Sequence, residues 1–505
     1  MNSPNEALLA VRDATQLQKD LAESYDVIVV GSGAGGAVVA KELAERGVRV
    51  VIVEQGGWHR QHRDLPSEAL QRLYQTSGFT MTIGNTVIPV PLGRCLGGTT
   101  VINSGTCFRL PPVILKQWRE QRGLTELGDE ELTHAFDRIE KFLHVAPADF
   151  KFMSRSNTLM QELFAKEGIW GAPLQRNAIG CSGCGMCCYG CTHFAKQSMD
   201  VSYLPCAIRS GAVVYTGAQV TRILSEPNNP HRVCGIMAKA GKHTLQLRAK
   251  TVILAAGTLA TPQLLRKHRI ARKNPHLGKH LTLHPATKLF AEFDEEISGW
   301  EGTGQAHFVD VLKDEGILFE GIFVPPDLVG MTFPFSGEKL SAFMRHYSRI
   351  VSYGFLISDS SEGRMLSLPF LNNIFTYSLS ETDLTRIKKA ITFLARILLK
   401  GGAKRVITPV HHRLSELTSL ADVEQFNQLT FRASDMEILA FHPLGTCRIG
   451  RSAAEGVCDQ NHQVFGTEGL FLCDGSILPS SLGVNPQMTI MALAMRLANR
   501  LVEKN

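Results

Sequence analysis

Apolar and polar positions along this chain follow more than one period. Tyr25–Val30 is a short apolar run, glycines interrupt it at Gly31–Gly36, a helical stretch covers Ala37–Arg46, and Val48–Val53 is apolar again. A run that is apolar at every position predicts a strand covered on both faces, as in a parallel sheet. Gly47 can end the helix. The pattern predicts strand, glycine loop, helix and second strand, closing on Glu54. Farther along, EGILFEGIFVPPDLVGMTFPF (315–335) and SRIVSYGFLIS (348–358) combine alternation with β-branched residues, which predicts another sheet. RIKKAITFLARILLKGGAKR (386–405) changes to helical spacing, with Ile391, Leu394, Ile397 and Leu398 on one face and Lys388, Lys389, Arg396 and Lys400 on the other. Such a helix either packs on its own protein or lies on an anionic membrane surface.

No apolar stretch reaches the roughly 18 residues of a membrane span. The first 25 residues lack the apolar centre of a secretory signal and read as a short polar lead-in with some helical character. A cytoplasmic location is the expectation, with peripheral membrane contact as the alternative. The 505 residues, 44% hydrophobic, suffice for two domains. A net charge of +6 without an arginine-rich arm gives no footing for nucleic acid.

The glycine loop carries the first chemistry. Gly31, Gly33 and Gly36 stand as G-x-G-x-x-G between strand and helix. That context suits a nucleotide pyrophosphate on the helix N-terminus, with the Glu54 carboxylate accepting ribose hydroxyls. By itself the motif does not separate FAD from NAD.

The thiols are the second anomaly. Of twelve cysteines, five fall in CSGCGMCCYGC (181–191). Cys181, Cys184, Cys187 and Cys191 are spaced C-x2-C-x2-C-x3-C, the spacing of a ferredoxin run. Thr192 replaces the proline that ends such runs, and there is no second run. Cys188 or Cys206 could instead close the site, or a three-iron cluster could use three thiols. Zinc and a metal-free thiol loop are the competing readings. Without an export signal, metal precedes disulfide.

Five ordered segments add a family likeness. GRCLGGTTVIN (93–103), VILAAGTLATPQLL (252–265), FHPLGTCRIG (441–450) and the closing CDGSILPSSLGVNPQMTIMALAMRLANRL (473–501) follow the N-terminal fingerprint. Together they resemble the glucose–methanol–choline (GMC) oxidoreductases, FAD enzymes that oxidise alcohols. The cysteine segment resembles a branch that includes long-chain alcohol oxidases and dehydrogenases. The resemblance implies an α/β fold, α+β taken whole, with a Rossmann-like FAD-binding domain interleaved with a substrate domain built on an antiparallel sheet. The implied FAD domain takes 20–130, 200–285 and 435–505, a bridging region with the cysteines takes 131–199, and the substrate domain takes 286–434.

Residue by residue, the likeness assigns Gly31, Gly33, Gly36 and Glu54 to pyrophosphate and ribose. Gly93, Gly97, Gly98 and Asn103 fall on the loop along the flavin, and Val220 (in YTGAQVTRI) on the adenine contact. Asp474 and Gly475 fall beside the ribityl and phosphate groups, and Met488 near the isoalloxazine. His442 takes the catalytic histidine position and Asn485 its partner position. His280 and His284 (in LGKHLTLHPA) read as supporting residues. Ile102 stands where some members carry a histidine that links FAD covalently, so the expectation is non-covalent FAD.

The implied function is oxidation of an alcohol CH–OH by hydride transfer to flavin, with His442 as proton acceptor. Electrons would leave through an iron–sulfur cluster or to an acceptor protein, a quinone or an artificial acceptor. The alternatives are an O2-using oxidase, a redox-neutral FAD lyase of the same fold, and an electron-transfer subunit. The apolar runs of 286–434 favour an apolar alcohol over a sugar.

Overall fold

The computed structural model describes residues 4–59, 65–330, 333, 335–367, 374–411 and 414–503. Met331, Thr332 and Pro334 of the predicted 315–335 stretch lie outside them. The strands Val27–Val30 and Val50–Val53 form as the run of apolar positions predicts, each buried at every residue. They occupy the middle of a six-stranded parallel sheet. Its order is Arg12–Asp13, Val213–Thr216, Val50–Val53, Val27–Val30, Thr251–Leu254, Leu470–Leu472. The helix Ala34–Ala44 is buried along nearly its whole length, against the sheet and the closing helix Gln487–Glu503. One hydrophobic core joins these elements, which is why alanine and valine fill the first helix and alanine, leucine and methionine the second.

The lead-in corrects the expectation for it. It holds a short helix, Pro4–Leu8, but Arg12–Asp13 pairs in parallel with Tyr215 and Thr216, and Leu21–Ser24 with Leu245–Arg248. Both are edge strands whose partners lie some 200 residues away, beyond any local signal.

The second sheet is antiparallel. Pro285–Glu292, Ile350–Ile357 and Ile317–Gly321 form its centre, flanked by Arg405–Ile407 and His307–Val309. Ile350–Ile357 is buried at all eight positions, so both faces are covered. The helix Glu381–Lys400 belongs to the core on this sheet, with Ile387, Ile391, Leu394 and Leu398 inside. Ser380 caps it by accepting from the Asp383 N–H.

That packing removes the membrane role considered for this helix. The apolar face is spent on the protein's own core. Among its basic residues, Lys389 pairs with Glu315, Arg396 with Glu424 and Lys400 with Glu167, while Lys388 donates to the Asn427 carbonyl. No described helix is long and apolar enough to cross a membrane.

Candidate active site

A cavity of about 1540 Å³ takes its walls from both sheets. Its wall is assembled from distant parts of the chain: Gly31, Gly33, Glu54, Gly93, Gly98 and Asn103 from the N-terminal loops, Val220, then His442, Asp474, Gly475 and Asn485. The volume exceeds the 300–1,000 Å³ typical of a single small-ligand pocket, leaving space for a cofactor and a substrate together.

The glycines of the fingerprint divide into two kinds. A Cβ on Gly31 would stand 2.2 Å from the Ala255 carbonyl oxygen, and its φ of +103° already disfavours a side chain. A Cβ on Gly36 would stand 2.0 Å from the Gly31 oxygen. A Cβ on Gly33 would meet nothing within 4 Å, because it points into the cavity at the N-terminus of Ala34–Ala44. The open space and the aligned N–H groups fit a pyrophosphate there.

Glu54 is buried and accepts from the Ser32 N–H (3.1 Å), the Ser32 hydroxyl (2.7 Å) and the Gly56 N–H (2.8 Å). Ser32 Oγ in turn accepts from the Gly97 N–H at 3.0 Å. The carboxylate thereby ties the pyrophosphate loop to the 93–103 loop, and burial raises its pKa. Asp474 accepts from the N–H groups of Gly257 and Ser476, holding the nucleotide sheet against the C-terminal segment. Three expected cofactor residues are not on the wall: Gly36, Gly97 and Met488, the last fully buried in the core. They support the cavity from behind.

His442 follows the short strand Leu439–Ala440, which pairs with Pro285–Glu292. Asn485 stands two residues before the helix Gln487–Glu503. The fold brings His442 Nε2 to 3.3 Å from Asn485 Nδ2. Burial pushes the His442 pKa down to about 4, so the ring is neutral at ordinary pH and can accept a proton. His284 packs edge-on against it, ring centroids 5.2 Å apart. Its Nε2 accepts from the N–H groups of Leu482 (2.8 Å) and Gly483 (3.1 Å), which fixes the turn leading to Asn485. His280 is engaged by Glu362 and His276, away from the wall. The supporting role expected of both histidines fits these contacts.

The sequence reading singled out no acidic residue of the antiparallel sheet, yet one lies on the wall. Glu320 lies on Ile317–Gly321, buried, and accepts from Gln305 Nε2 at 2.9 Å. Its carboxyl also interacts with the Asn485 amide. The signal was a lone acidic residue inside the buried strand ILFEG.

The cysteine loop adjoins the same cavity, with Cys187 and Cys188 on the wall and Cys181, Cys184 and Cys191 off it, Cys184 exposed. The thiols are held one by one. Cys187 Sγ accepts from Arg176 Nη2 at 3.1 Å, Cys191 Sγ from the Lys196 N–H at 3.3 Å, and Cys181 Sγ lies 3.9 Å from Thr303 Oγ1. Lys196, fully buried, donates to the carbonyls of Val101, Asn103 and Cys187, stapling the loop to the 93–103 segment. All twelve cysteines are free.

Among the described residues no three His, Cys, Asp or Glu side chains converge as a metal site. The ligand set Cys181, Cys184, Cys187 and Cys191 expected from spacing is therefore not assembled among the described residues, and the structure lends no support to a cluster or zinc in this loop. The correction has a physical cause. Spacing sets how near the thiols can come, whereas the folded loop gives them separate partners, with Arg176 and Lys196 donating to Cys187 and Cys191 and Thr303 beside Cys181.

Comparison with known proteins places the whole chain. Family models described as "GMC oxidoreductase" match residues 70–286 and 366–494, and one described as "FAD binding domain" matches 24–64. An uncharacterised GMC-type oxidoreductase of Mycobacterium tuberculosis is 35% identical over 490 residues, covering 95% of this chain and 76% of its own. A long-chain-alcohol oxidase (FAO4B) of Arabidopsis thaliana is 29% identical over 511 residues, covering 95% and 67%. Among solved structures, pyridoxine 4-oxidase from Mesorbium loti superposes with a TM-score of 0.71 at 18% identity, covering 95% of this chain and 99% of the other. A formate oxidase from Aspergillus oryzae does so with 0.72 at 16%, covering 96% and 99%. These structural likenesses concern the fold.

Proposed function

The chain belongs to the GMC oxidoreductases, FAD-dependent enzymes acting on CH–OH donors, and from that premise we propose that it oxidises an apolar, chain-like alcohol. Bound FAD would supply the hydride acceptor. The chain's own residues bind, orient and deprotonate. His442 Nε2 takes the hydroxyl proton, and the Asn485 amide holds the substrate oxygen. Gly33, the N-terminus of Ala34–Ala44 and the 93–103 loop would hold the cofactor.

The observation that carries the substrate class is the cavity mouth. In the strand Met81–Ile83, Thr82 faces the core, while Met81 and Ile83 are 41% and 47% exposed and line the cavity with Phe79. A half-buried strand normally turns polar residues outward. Here apolar side chains face outward on a cavity wall that also includes Leu70, Ile322 and Phe323. That apolar lining favours a hydrocarbon chain, and the polar residues of the same wall, Gln75, Thr76, Ser77 and Thr80, come from the loop before the strand. The name of the Arabidopsis relative agrees.

The test is flavin bleaching in a stopped-flow apparatus with primary alcohols of increasing length. The second-order rate of bleaching is expected to rise by up to about fourfold per methylene, from roughly 0.8 kcal/mol per buried CH2. A flat series, or no bleaching by any alcohol, would discard the reading.

For reoxidation, O2 is the acceptor that the relatives' names favour. The dehydrogenase route expected from the cysteine loop loses its motive with the unassembled ligand set. Aerobic turnover should form peroxide in step with alcohol consumed, and consumption that requires an added one-electron acceptor would restore the dehydrogenase reading.

The FAD is proposed to be non-covalent, since Ile102 stands on the cavity wall where a linking histidine would be needed. Acid precipitation is expected to leave the yellow flavin in the supernatant. Colour that stays with the fully denatured pellet would show a covalent link through another residue.

A further inference from the structure

Two buried cations back the segment 101–104, which gives Ile102, Asn103 and Ser104 to the cavity wall. Lys196 and Arg176 are 1% and 4% exposed, and neither is on the wall itself. Lys196 is bridged to Ala178, and Arg176 to Thr106, so both are carried by paired backbone next to that segment. Lys196 Nζ donates to the carbonyls of Val101 (2.8 Å), Asn103 and Cys187 (2.7 Å). Arg176 Nη2 donates to the Ser104 carbonyl at 2.8 Å. Three of the four carbonyls from 101 to 104 are thus bonded to a cation. We propose that Lys196 and Arg176 form a positive backing to this loop that stabilises the negative charge FAD gains on accepting hydride, and so raise the reduction potential of the bound flavin.

Both groups carry charge. Burial lowers the Lys196 pKa, yet three carbonyl oxygens need three N–H donors, and only the ammonium form has three. The guanidinium of Arg176 is charged at any working pH. Carbonyls satisfy the N–H groups but leave the charge itself uncompensated, and an uncompensated buried charge is costly. Asp200 is the carboxylate that acts on Lys196, and it also accepts from the Ser198 hydroxyl. The groups acting on Arg176 are the thiols of Cys187 and Cys181. Burial pushes Cys188, on the wall nearby, up to about 11, so its thiol is neutral. One carboxylate against two cations leaves a positive surplus beside the wall.

That surplus meets a demand of the reaction. The alcohol's C–H bond breaks, and its two electrons leave with the hydrogen as hydride. The hydroxyl proton passes to His442, and the carbon–oxygen bond becomes a carbonyl. The oxidised flavin ring is neutral, so hydride leaves it with one negative charge. Fixed cations in a dry site favour that charged side and need no rearrangement at the moment of transfer. The same field favours any adduct that places negative charge on the ring, and sulfite addition is one.

The proposal rests on bound FAD and is tested without any alcohol, so its failure and that of the substrate reading are read separately. The FAD-loaded protein is titrated against a reference dye for its potential and against sulfite for adduct affinity. Arg176→Gln removes the charge but keeps an amide N–H for the Ser104 carbonyl. It should move the reduction equilibrium about tenfold toward oxidised flavin, the scale of one unit charge at an effective dielectric near 20. For a two-electron couple that is a potential lower by about 30 mV. Sulfite affinity should fall by a similar factor. Arg176→Lys keeps the charge and should stay within about threefold of wild type on both measures. Lys196→Met should lower the potential at least as far, and if it no longer holds FAD, the two Arg176 variants decide. Wild-type potential and sulfite affinity in Arg176→Gln would overturn the proposal. So would an Arg176→Lys protein shifted as far as Arg176→Gln, since shape and not charge would then be what matters.

Discussion

His442→Ala is expected to retain bound FAD yet reduce it with alcohol about 10²- to 10⁴-fold more slowly, the range of a lost general base. The ring has the geometry for that work, with Nε2 at 3.3 Å from Asn485 Nδ2 on the wall of the cavity. Its charge state fits as well. Burial lowers the pKa to about 4, so the base is available above that value and is lost as pH falls through it. Wild-type bleaching should therefore hold its rate well into the acid range and fail near pH 4, whereas the alanine variant should lack that acid limb. Asn485→Ala should also slow reduction, by less, since it removes a hydrogen bond and leaves the proton acceptor in place. Single-turnover bleaching across pH measures both. Wild-type rates from His442→Ala would remove this residue from the chemistry.

The second large effect separates two glycines of one motif. Gly31→Ala should abolish soluble, folded protein or lower its melting temperature by on the order of 10 °C or more. The added Cβ would sit 2.2 Å from the Ala255 carbonyl oxygen, at a φ of +103°. Backbone cannot yield cheaply on either side, because both residues continue central strands of the parallel sheet. A penalty above about 4 kcal/mol is the scale of such overpacking plus strain. Gly33→Ala should fold normally, because its φ of −73° suits alanine and its Cβ direction is open. What it fills is the cradle, so FAD content and affinity should fall while the melting temperature of the apoprotein stays put. Calorimetry of the apoproteins and flavin titration read the two effects separately. A Gly33→Ala protein that binds FAD as tightly as wild type would move the pyrophosphate elsewhere.

Parts of this architecture are local statements. The strand, glycine loop and helix from Val27 to Ala44 follow from hydrophobic period and glycine placement within 20 residues, and they formed in that order, with the helix starting three residues early at Ala34 and taking in Gly35 and Gly36. The helix Glu381–Lys400 was legible for the same reason, down to its apolar face. What that face covers was not legible, since amphipathicity shows that a partner exists and leaves its nature open. The edge strands Arg12–Asp13 and Leu21–Ser24 were invisible because they are short, polar and paired across some 200 residues.

The site divides along the same line. His442 and Asn485 could be named from their motifs, because motif residues keep their place relative to the backbone around them. Glu320 could not, because the role of a carboxylate inside a buried strand depends on what faces it, and Asn485 arrives from another part of the chain. The cysteine loop shows the limit most plainly. Its spacing established that four thiols lie within reach of one another, a local property of eleven residues. Arg176, Lys196 and Thr303, brought in by tertiary packing, contact Cys187, Cys191 and Cys181, and the thiols do not converge as a metal site. Sequence determines which groups are near along the chain and which faces must be buried. Tertiary structure decides which groups meet and in which protonation state, because both depend on desolvation and on hydrogen-bond partners that only folding assembles.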